Sequence, residues 1–291
     1  MISIVIISKD EEALDSTLTD VAGQVKELDE PCEIVVVDAS EGRLDHIRDS
    51  HQAGVRWVPF QRPTGITVSI PHQRNAGVRA AHGDIIVFTD AGCRPEAGWL
   101  ARLVAPLYQE EQITAGVART ASGTAGLYDH AAQPVQEPGY LSECPTINLA
   151  FRRRTFDAVG GFDEGFAYGS DVDFSWRLVD AGYRIRSVPD AVVCHDWGSW
   201  RRQLRRSYVY GKARARLYRK HPARLRGVLR HDPMVVVYPM FLLGLPLTIV
   251  FPLYPALLLI PAWRSRSQGV VRVLVDHLTY GTGVLVELVH R

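Results

Sequence analysis

Ile85-Ile86-Val87-Phe88-Thr89-Asp90-Ala91-Gly92-Cys93-Arg94-Pro95 is a run of four large apolar residues that ends in a carboxylate and then opens into a loop. Four such residues in a row read as a strand covered on both faces, the pattern of a parallel sheet flanked by helices. In such sheets ligands bind outside the carboxyl ends of the strands, which gives Asp90 the address of a site residue. An Asp at that place also caps turns well, and the stretch alone leaves both readings open.

Upstream, the same alternation repeats. Residues 2–7 form an apolar run, Ser8 and Glu11 have the spacing of a capping box, and Leu14, Leu18, Val21, Ala22, Val25 and Leu28 recur at helical spacing. Residues 34–37 are the next apolar run, ending in Asp38, followed by a short helix over 44–52 and a strand over 55–58. A βαβαβ series implies a parallel sheet with right-handed crossovers, and Ser8, Asp38 and Asp90 then share one edge. Residues 71–84 read as a helix closed by Gly83, with Arg74 and Asn75 near its start, where free amides and the helix dipole favour an anion.

Downstream, residues 99–108 read as an amphipathic helix, 113–118 as a strand, and the Ala/Gly/Ser-rich residues 121–132 carry no signal. A strand over 146–151, a helix over 152–159 and a Gly-rich turn over 160–164 lead to Gly169-Ser170-Asp171-Val172-Asp173-Phe174, which opens a helix. Ser170 is a good N-cap, and acids in the first turn complement the dipole, so capping alone accounts for Asp171 and Asp173.

Composition narrows the class. With 33 basic and 32 acidic residues the net charge is +1, and 46% of the 291 residues are hydrophobic, enough for one large domain or two modest ones. Cys32, Cys93, Cys144 and Cys194 lack any CxxC or His-rich spacing, which argues against a zinc site or a disulfide framework and for a reducing compartment. The start reads as a strand rather than a signal peptide. No GxGxxG follows the first strand, which disfavours a dinucleotide dehydrogenase.

Residues 200–230 are rich in Arg and Lys and contain no acid, with Tyr208, Tyr210 and Tyr218 interleaved. Such a run fits nucleic acid, but an uncharged stretch over 234–262 follows at once, longer than the roughly 20 residues of a bilayer span. A basic flank beside an apolar stretch is the pattern of the positive-inside rule, so the expected partner is a membrane and not nucleic acid. Pro239, Pro246, Pro252, Pro255 and Pro261 interrupt the stretch, which favours a membrane-embedded hairpin over one long span. Residues 270–289 read as an amphipathic helix that lies on the surface or packs back on the hairpin.

In their order and separation, Asp38 after its strand, Arg74-Asn75-Ala76-Gly77, Phe88-Thr89-Asp90-Ala91-Gly92, and residues 95–100, 160–164 and 169–178 make the chain resemble the family 2 glycosyltransferases over most of residues 1–200. The resemblance implies the GT-A fold, an α/β three-layer sandwich with a mostly parallel central sheet, here over 1–200. Basic amphipathic helices over 201–232 and membrane-associated helices over 233–291 would follow. It also implies a nucleotide-sugar donor against Ser8, Asp38, Arg74 and Asn75, with Asp90 near the diphosphate and Asp171 as general base. Asn148, Asp173 and Trp176 would stand on the acceptor side, and Asp90 with His195 would hold Mn2+ or Mg2+. Two positions depart from the family's pattern. Asp-x-Asp reads Asp90-Ala91-Gly92, and the usual Glu-Asp pair reads Ser170-Asp171.

The implied protein is an inverting, hexosyltransferase-like enzyme of cell-surface polysaccharide or glycolipid synthesis. It would work at the cytoplasmic face of the cell membrane on a glycan or lipid-linked acceptor. Gly92 and Ser170 keep a different class open, a catalytically silent nucleotide-sugar- or glycan-binding scaffold of a membrane assembly.

Overall fold

The computed structural model describes residues 1–120, 135–137, 139–260 and 270–290. The uninformative segment 121–132 lies outside them. The chain forms two compact units, the first ending at Asp196 and the second starting at Trp197, so that residues 201–232 and 233–290 belong to one unit.

The first unit opens with β1 (Ile2–Ser8), α1 (Leu14–Lys26), β2 (Cys32–Asp38), α2 (Asp45–Ser50), β3 (Val55–Pro59), α3 (Ile70–Ala80) and β4 (Ile85–Asp90). A tight turn then leads to β5 (Cys93–Pro95), α4 (Trp99–Val104) and β6 (Ile113–Thr120). It closes with β7 (Val135–Glu137), β8 (Tyr140–Leu141), β9 (Asn148–Arg152), α5 (Arg153–Ala158), α6 (Ser170–Asp180) and β10 (Ile185–His195). The sheet order is β3-β2-β1-β4-β9-β6-β10-β8-β7, with β5 on β10. Strands β3, β2, β1 and β4 are parallel, and the register pairs Ser8 with Asp38 and Ile7 with Asp90, so these strand ends lie side by side.

The sheet is mixed rather than mostly parallel. β9 runs antiparallel between β4 and β6, and β5 and β8 both pair antiparallel with β10. An all-apolar run such as Leu149–Phe151 says that both faces are covered and says nothing of direction, which is why the sequence pattern could not separate the two cases. The capping box also fails to form. Ser8 completes β1, and α1 starts only at Leu14, without a side-chain cap.

Helix α3 lies close on the sheet because Gly77 has no side chain. A Cβ there would collide with Val5 Cγ1 and come within 3.2 Å of Val37 Cγ2. On the far half, Phe88, Phe151, Phe156, Phe162 and Phe174 form one aromatic cluster, with Phe162 and Phe174 centroids 4.4 Å apart. The cluster joins β4, β9, α5, the Gly160–Glu164 turn and α6, so the strand bearing Asp90 and the helix bearing Asp171 share one packed base.

The second unit contains α7 (Trp200–Lys220), a 3-10 turn (Pro222–Gly227), α8 (Val228–His231) and α9 (Met234–Leu243). Two more 3-10 turns (Leu245–Ile249 and Tyr254–Leu258) and α10 (Val270–Val289) complete it. Helix α10 packs along α7 through glycines, Gly211 facing the Tyr280 carbonyl and Gly283 facing the Tyr208 carbonyl. Its acids point the same way, Asp276 accepting from Ser207 Oγ and Glu287 pairing with Arg216 at 2.7 Å. The stretch read as a membrane hairpin is therefore one short helix and two tight turns. Among the described residues no helix is long and apolar enough to cross a membrane.

Candidate active site

The carboxyl ends of β1, β2 and β4, the first turn of α6 and the end of β10 bring Ser8, Asp38, Asp90, Asp171 and His195 to the same region of the first unit, with Arg74 reaching in from α3. Asp90 sits at the rim of this region. Burial, the dominant cause, pushes its carboxyl above the ordinary carboxylate range, Arg74 and His195 pull it back, and Asp171 pushes it up further. Asp90 thus feels a guanidinium, an imidazole and a second carboxylate at once, the arrangement by which sites separate the roles of like groups.

Arg74 is buried, and its Nη1 donates to Ser170 Oγ at 3.1 Å. Its guanidinium also lies 5.5 Å from the centre of the Phe162 ring, and its Nε has no hydrogen-bond partner among the described residues. Ser170 is not the N-cap of α6. Gly169 takes that place at φ +79°, and Ser170 is the first helical residue, its hydroxyl turned to Arg74. The residue at the place of the family's usual Glu therefore receives the site's arginine, a role its reading as a cap concealed. Asp171, one residue on, is partly exposed, and its Oδ1 accepts the Val172 N–H at 2.9 Å.

Two strands along the same edge, Asp38 Oδ1 accepts from the N–H of Ser40 at 3.1 Å and from its hydroxyl at 2.5 Å. Ser40 Oγ in turn accepts the Asp10 N–H at 2.7 Å, which ties the end of β2 to the loop after β1. Ser8 Oγ is buried beside them without a partner among the described residues. An orphaned buried hydroxyl needs an explanation, and a ligand that completes it is one.

Four of the expected site residues are engaged elsewhere. Asn75 Nδ2 donates to the Phe162 carbonyl and to Glu164 Oε1, and its Oδ1 accepts the Phe162 N–H, all at 2.9 Å. It clamps α3 to the glycine turn instead of facing a donor. Asn148 Oδ1 accepts from Trp99 Nε1 at 2.8 Å, while Nδ2 donates to the Val117 and Ala191 carbonyls at 3.0 and 2.8 Å. Fully buried, it ties α4, β6, β9 and β10 together and is no acceptor residue. Asp173 is likewise inaccessible, paired with Arg177 at 2.8 Å. Trp176 is 3% exposed and donates to Glu143 Oε2, which leaves no open ring face for a sugar.

His195 lies near Asp90, whose carboxyl it pulls down. The ladder places it opposite Cys93, with Nδ1 3.7 Å from Cys93 Sγ. Its ring fills the space over Gly92, where a Cβ would stand 3.6 Å from His195 Cε1. Gly92 has φ +87°, and Thr17 fixes the turn by accepting the Gly92 N–H at 3.0 Å and donating to the Cys93 carbonyl at 2.9 Å. Cys93 itself is no nucleophile, since burial first and then Asp90 push its thiol up to about 12. No group of three or more His, Cys, Asp or Glu that could hold a metal occurs among the described residues. Asp90 and His195 do not form an all-protein cage, and a cation here would take most of its ligands from phosphate and water, as Mg2+ commonly does.

The fold and these residues have counterparts among known proteins. The model of glycosyl transferase family 2 matches residues 3–169, and that of glycosyl transferase family group 2 matches residues 135–264. A pre-mycofactocin glycosyltransferase of Mycobacterium tuberculosis is 32% identical over 169 residues, which covers 51% of this chain and 35% of that protein. Glycosyltransferase AglE of Haloferax volcanii is 27% identical over 162 residues, covering 53% of each. The chain thus spans about a third to a half of the length of these curated relatives. Among solved structures, the mannosyltransferase PcManGT of Pyrobaculum calidifontis, in complex with GDP-Man and Mn2+, superposes with a TM-score of 0.69 at 20% identity. That likeness covers 100% of this chain and 87% of the other and identifies the mixed α/β architecture as GT-A-like. With the family model matching residues 3–169 of 291, more than half of its length, the chain belongs to glycosyl transferase family 2.

Proposed function

We propose that the protein transfers a sugar from a nucleotide-diphosphate donor to a glycan acceptor in a single inverting displacement. The observation that carries this reading is the convergence of Arg74, Asp90, Asp171 and His195. Two acids, an imidazole and a permanent cation gathered beside the carboxyl ends of β4 and β10 suit transfer from a diphosphate. The acceptor hydroxyl oxygen bonds to the anomeric carbon while the bond from that carbon to the diphosphate oxygen breaks, and both electrons of the broken bond leave with the nucleotide diphosphate. Asp171 takes the hydroxyl proton, a contribution of about a hundred- to ten-thousandfold in rate. Arg74 faces the charge that develops on the leaving diphosphate, where a fixed cation stabilises the transition state. A divalent cation held by Asp90 and His195 would neutralise the same charge as a Lewis acid. Ser8 and Asp38 would bind the nucleotide.

A lipid-linked glycan at the cytoplasmic face of the cell membrane is the acceptor this reading favours, on the strength of the uncharged stretch over 234–262. The test is a pair of measurements on Asp171→Asn. Turnover of nucleotide sugar should fall by about a hundredfold or more, with nucleotide-diphosphate affinity nearly unchanged. Unaltered turnover removes Asp171 from the mechanism. The second reading, a catalytically silent binding protein, is favoured by Gly92 and Ser170 standing where the family has acids. It predicts donor binding with no turnover in the wild type.

A further inference from the structure

The largest exposed apolar side chains of the molecule concentrate in the second unit, between Leu225 and Ile260. Ile249 is 86% exposed, Leu253 82%, Val250 70% and Phe251 62%. Exposed apolar side chains gathered in one segment in this way mark an interaction site. Over the described residues its form is not that of one long spanning helix. The ten residues of α9 rise about 15 Å, half of a roughly 30 Å hydrocarbon core. The chain then continues as 3-10 turns opened by Pro246 and Pro255. Such turns leave backbone groups that the hydrocarbon centre would not satisfy and that the hydrated interface does. The chain folds back on itself here, with Tyr254 stacked on Phe241 at 5.2 Å and its hydroxyl donating to the Phe241 carbonyl.

The charge beside this surface has one sign. Exposed Arg226 and Arg230 alternate with exposed Leu225 and Leu229 in the segment that packs on α9, and residues 200–231 contain no acid. The unit's own acids are engaged within it, Asp232 with Arg214, Asp276 with Ser207 and Glu287 with Arg216. In a two-fold dimer the same patch would meet itself, and these like-charged flanks would face each other. Anionic headgroups are the complement that an apolar patch with a basic flank fits.

We propose that residues 222–260 dock in the plane of an anionic lipid bilayer. The turns around Ile249 and Leu253 enter the boundary between headgroups and acyl chains, and Arg226 and Arg230 stay at the level of the phosphates. This goes beyond sugar transfer and does not depend on it.

The test is sedimentation of the full chain with vesicles of phosphatidylcholine, with and without phosphatidylglycerol. Binding should require the anionic lipid, and Ile249→Asp with Leu253→Asp should lower it on the order of tenfold or more. Arg226→Gln and Arg230→Gln should each lower it roughly fivefold on anionic vesicles alone. Circular dichroism and nucleotide affinity of the Asp variant, both expected to match wild type, separate lost docking from lost folding. The fluorescence that Ile249→Trp adds should be quenched more by bromines near the headgroups than by bromines near the chain ends. Unchanged sedimentation of the Asp variant, stronger quenching from the deep bromines, or a self-associating wild type that ignores vesicles would overturn the proposal.

Discussion

Asp90 carries the most information of any single residue, because its surroundings cost stability in the resting protein. Its carboxyl is raised above the ordinary range, chiefly by burial, so the folded state holds a proton more tightly than the unfolded chain does. Stability is then greatest below the ordinary carboxylate range and falls as pH rises through the raised value, by about 1.4 kcal/mol for each pH unit between the two. Asp90→Asn, neutral at every pH, should lack this decline. Without ligand it should melt higher than wild type at neutral pH and lose that advantage in acid, while its affinity for nucleotide diphosphate with Mn2+ falls about ten- to a hundredfold. Melting curves at several pH values check the first part and titration calorimetry the second. An Asn variant no more stable than wild type at neutral pH would mean that the carboxylate is already compensated. In the sequence, Asp38, Arg74, Asp90 and Asp171 stood out because each follows an apolar run or opens a helix. Asn75 stood out beside Arg74 near a helix start and Asn148 only through the family resemblance, and both proved to be clamps, since nothing local shows that Trp99, Val117, Ala191 or Phe162 would use their amides.

At the level of elements, the seat of α3 on β1 and β2 decides where Arg74 points. Replacing Gly by Ala inside a helix ordinarily gains roughly 0.5–1 kcal/mol. At Gly77 the sign should reverse, because the added methyl meets Val5 and Val37, both fully buried. Overpacking of this kind costs about 1–3 kcal/mol, and urea unfolding of Gly77→Ala should show the loss. A tilt of α3 would also loosen the Arg74 contact with Ser170, so nucleotide affinity should drop alongside stability. The parallel half of the sheet was legible because alternating strand and helix patterns fix the strand direction and bring the strand ends to one edge. The antiparallel placement of β9 was not, nor was the full extent of β10. The latter starts at Ile185 with Arg186, Ser187 and Asp190 interrupting its apolar pattern, and its register shifts between Ser187 and Val192.

For the molecule as a whole, the site is drawn from segments far apart in sequence but from the first unit alone. Saturating nucleotide diphosphate at about a hundred times its dissociation constant should stabilise the state that binds it by about 2.7 kcal/mol. Hydrogen exchange should localise that gain to the ends of β1, β2 and β4 and the first turn of α6. Equal protection throughout α7 and α10 would be inconsistent with a site of this composition. The sequence marked residues 234–262 as apolar and uncharged, which is correct as chemistry. Hydropathy averages over a window and is blind to how often proline restarts the chain, so over the described residues 234–260 the stretch that reads as a membrane-embedded hairpin folds as one short helix and two 3-10 turns.

The left-handed backbone of Gly92, with the His195 ring in contact distance, makes the departure from the acidic pattern costly to undo. Restoring the second acid through Gly92→Asp would ask an L-residue to hold φ +87° and to thread its carboxylate past an imidazole that a bare Cβ already touches. Gly92→Asp alone should therefore cost stability through the left-handed backbone it must hold. An ancestor or relative with the acid at this position should carry a smaller residue where this chain has His195, and the paired change, not the single one, should be the variant that folds and binds.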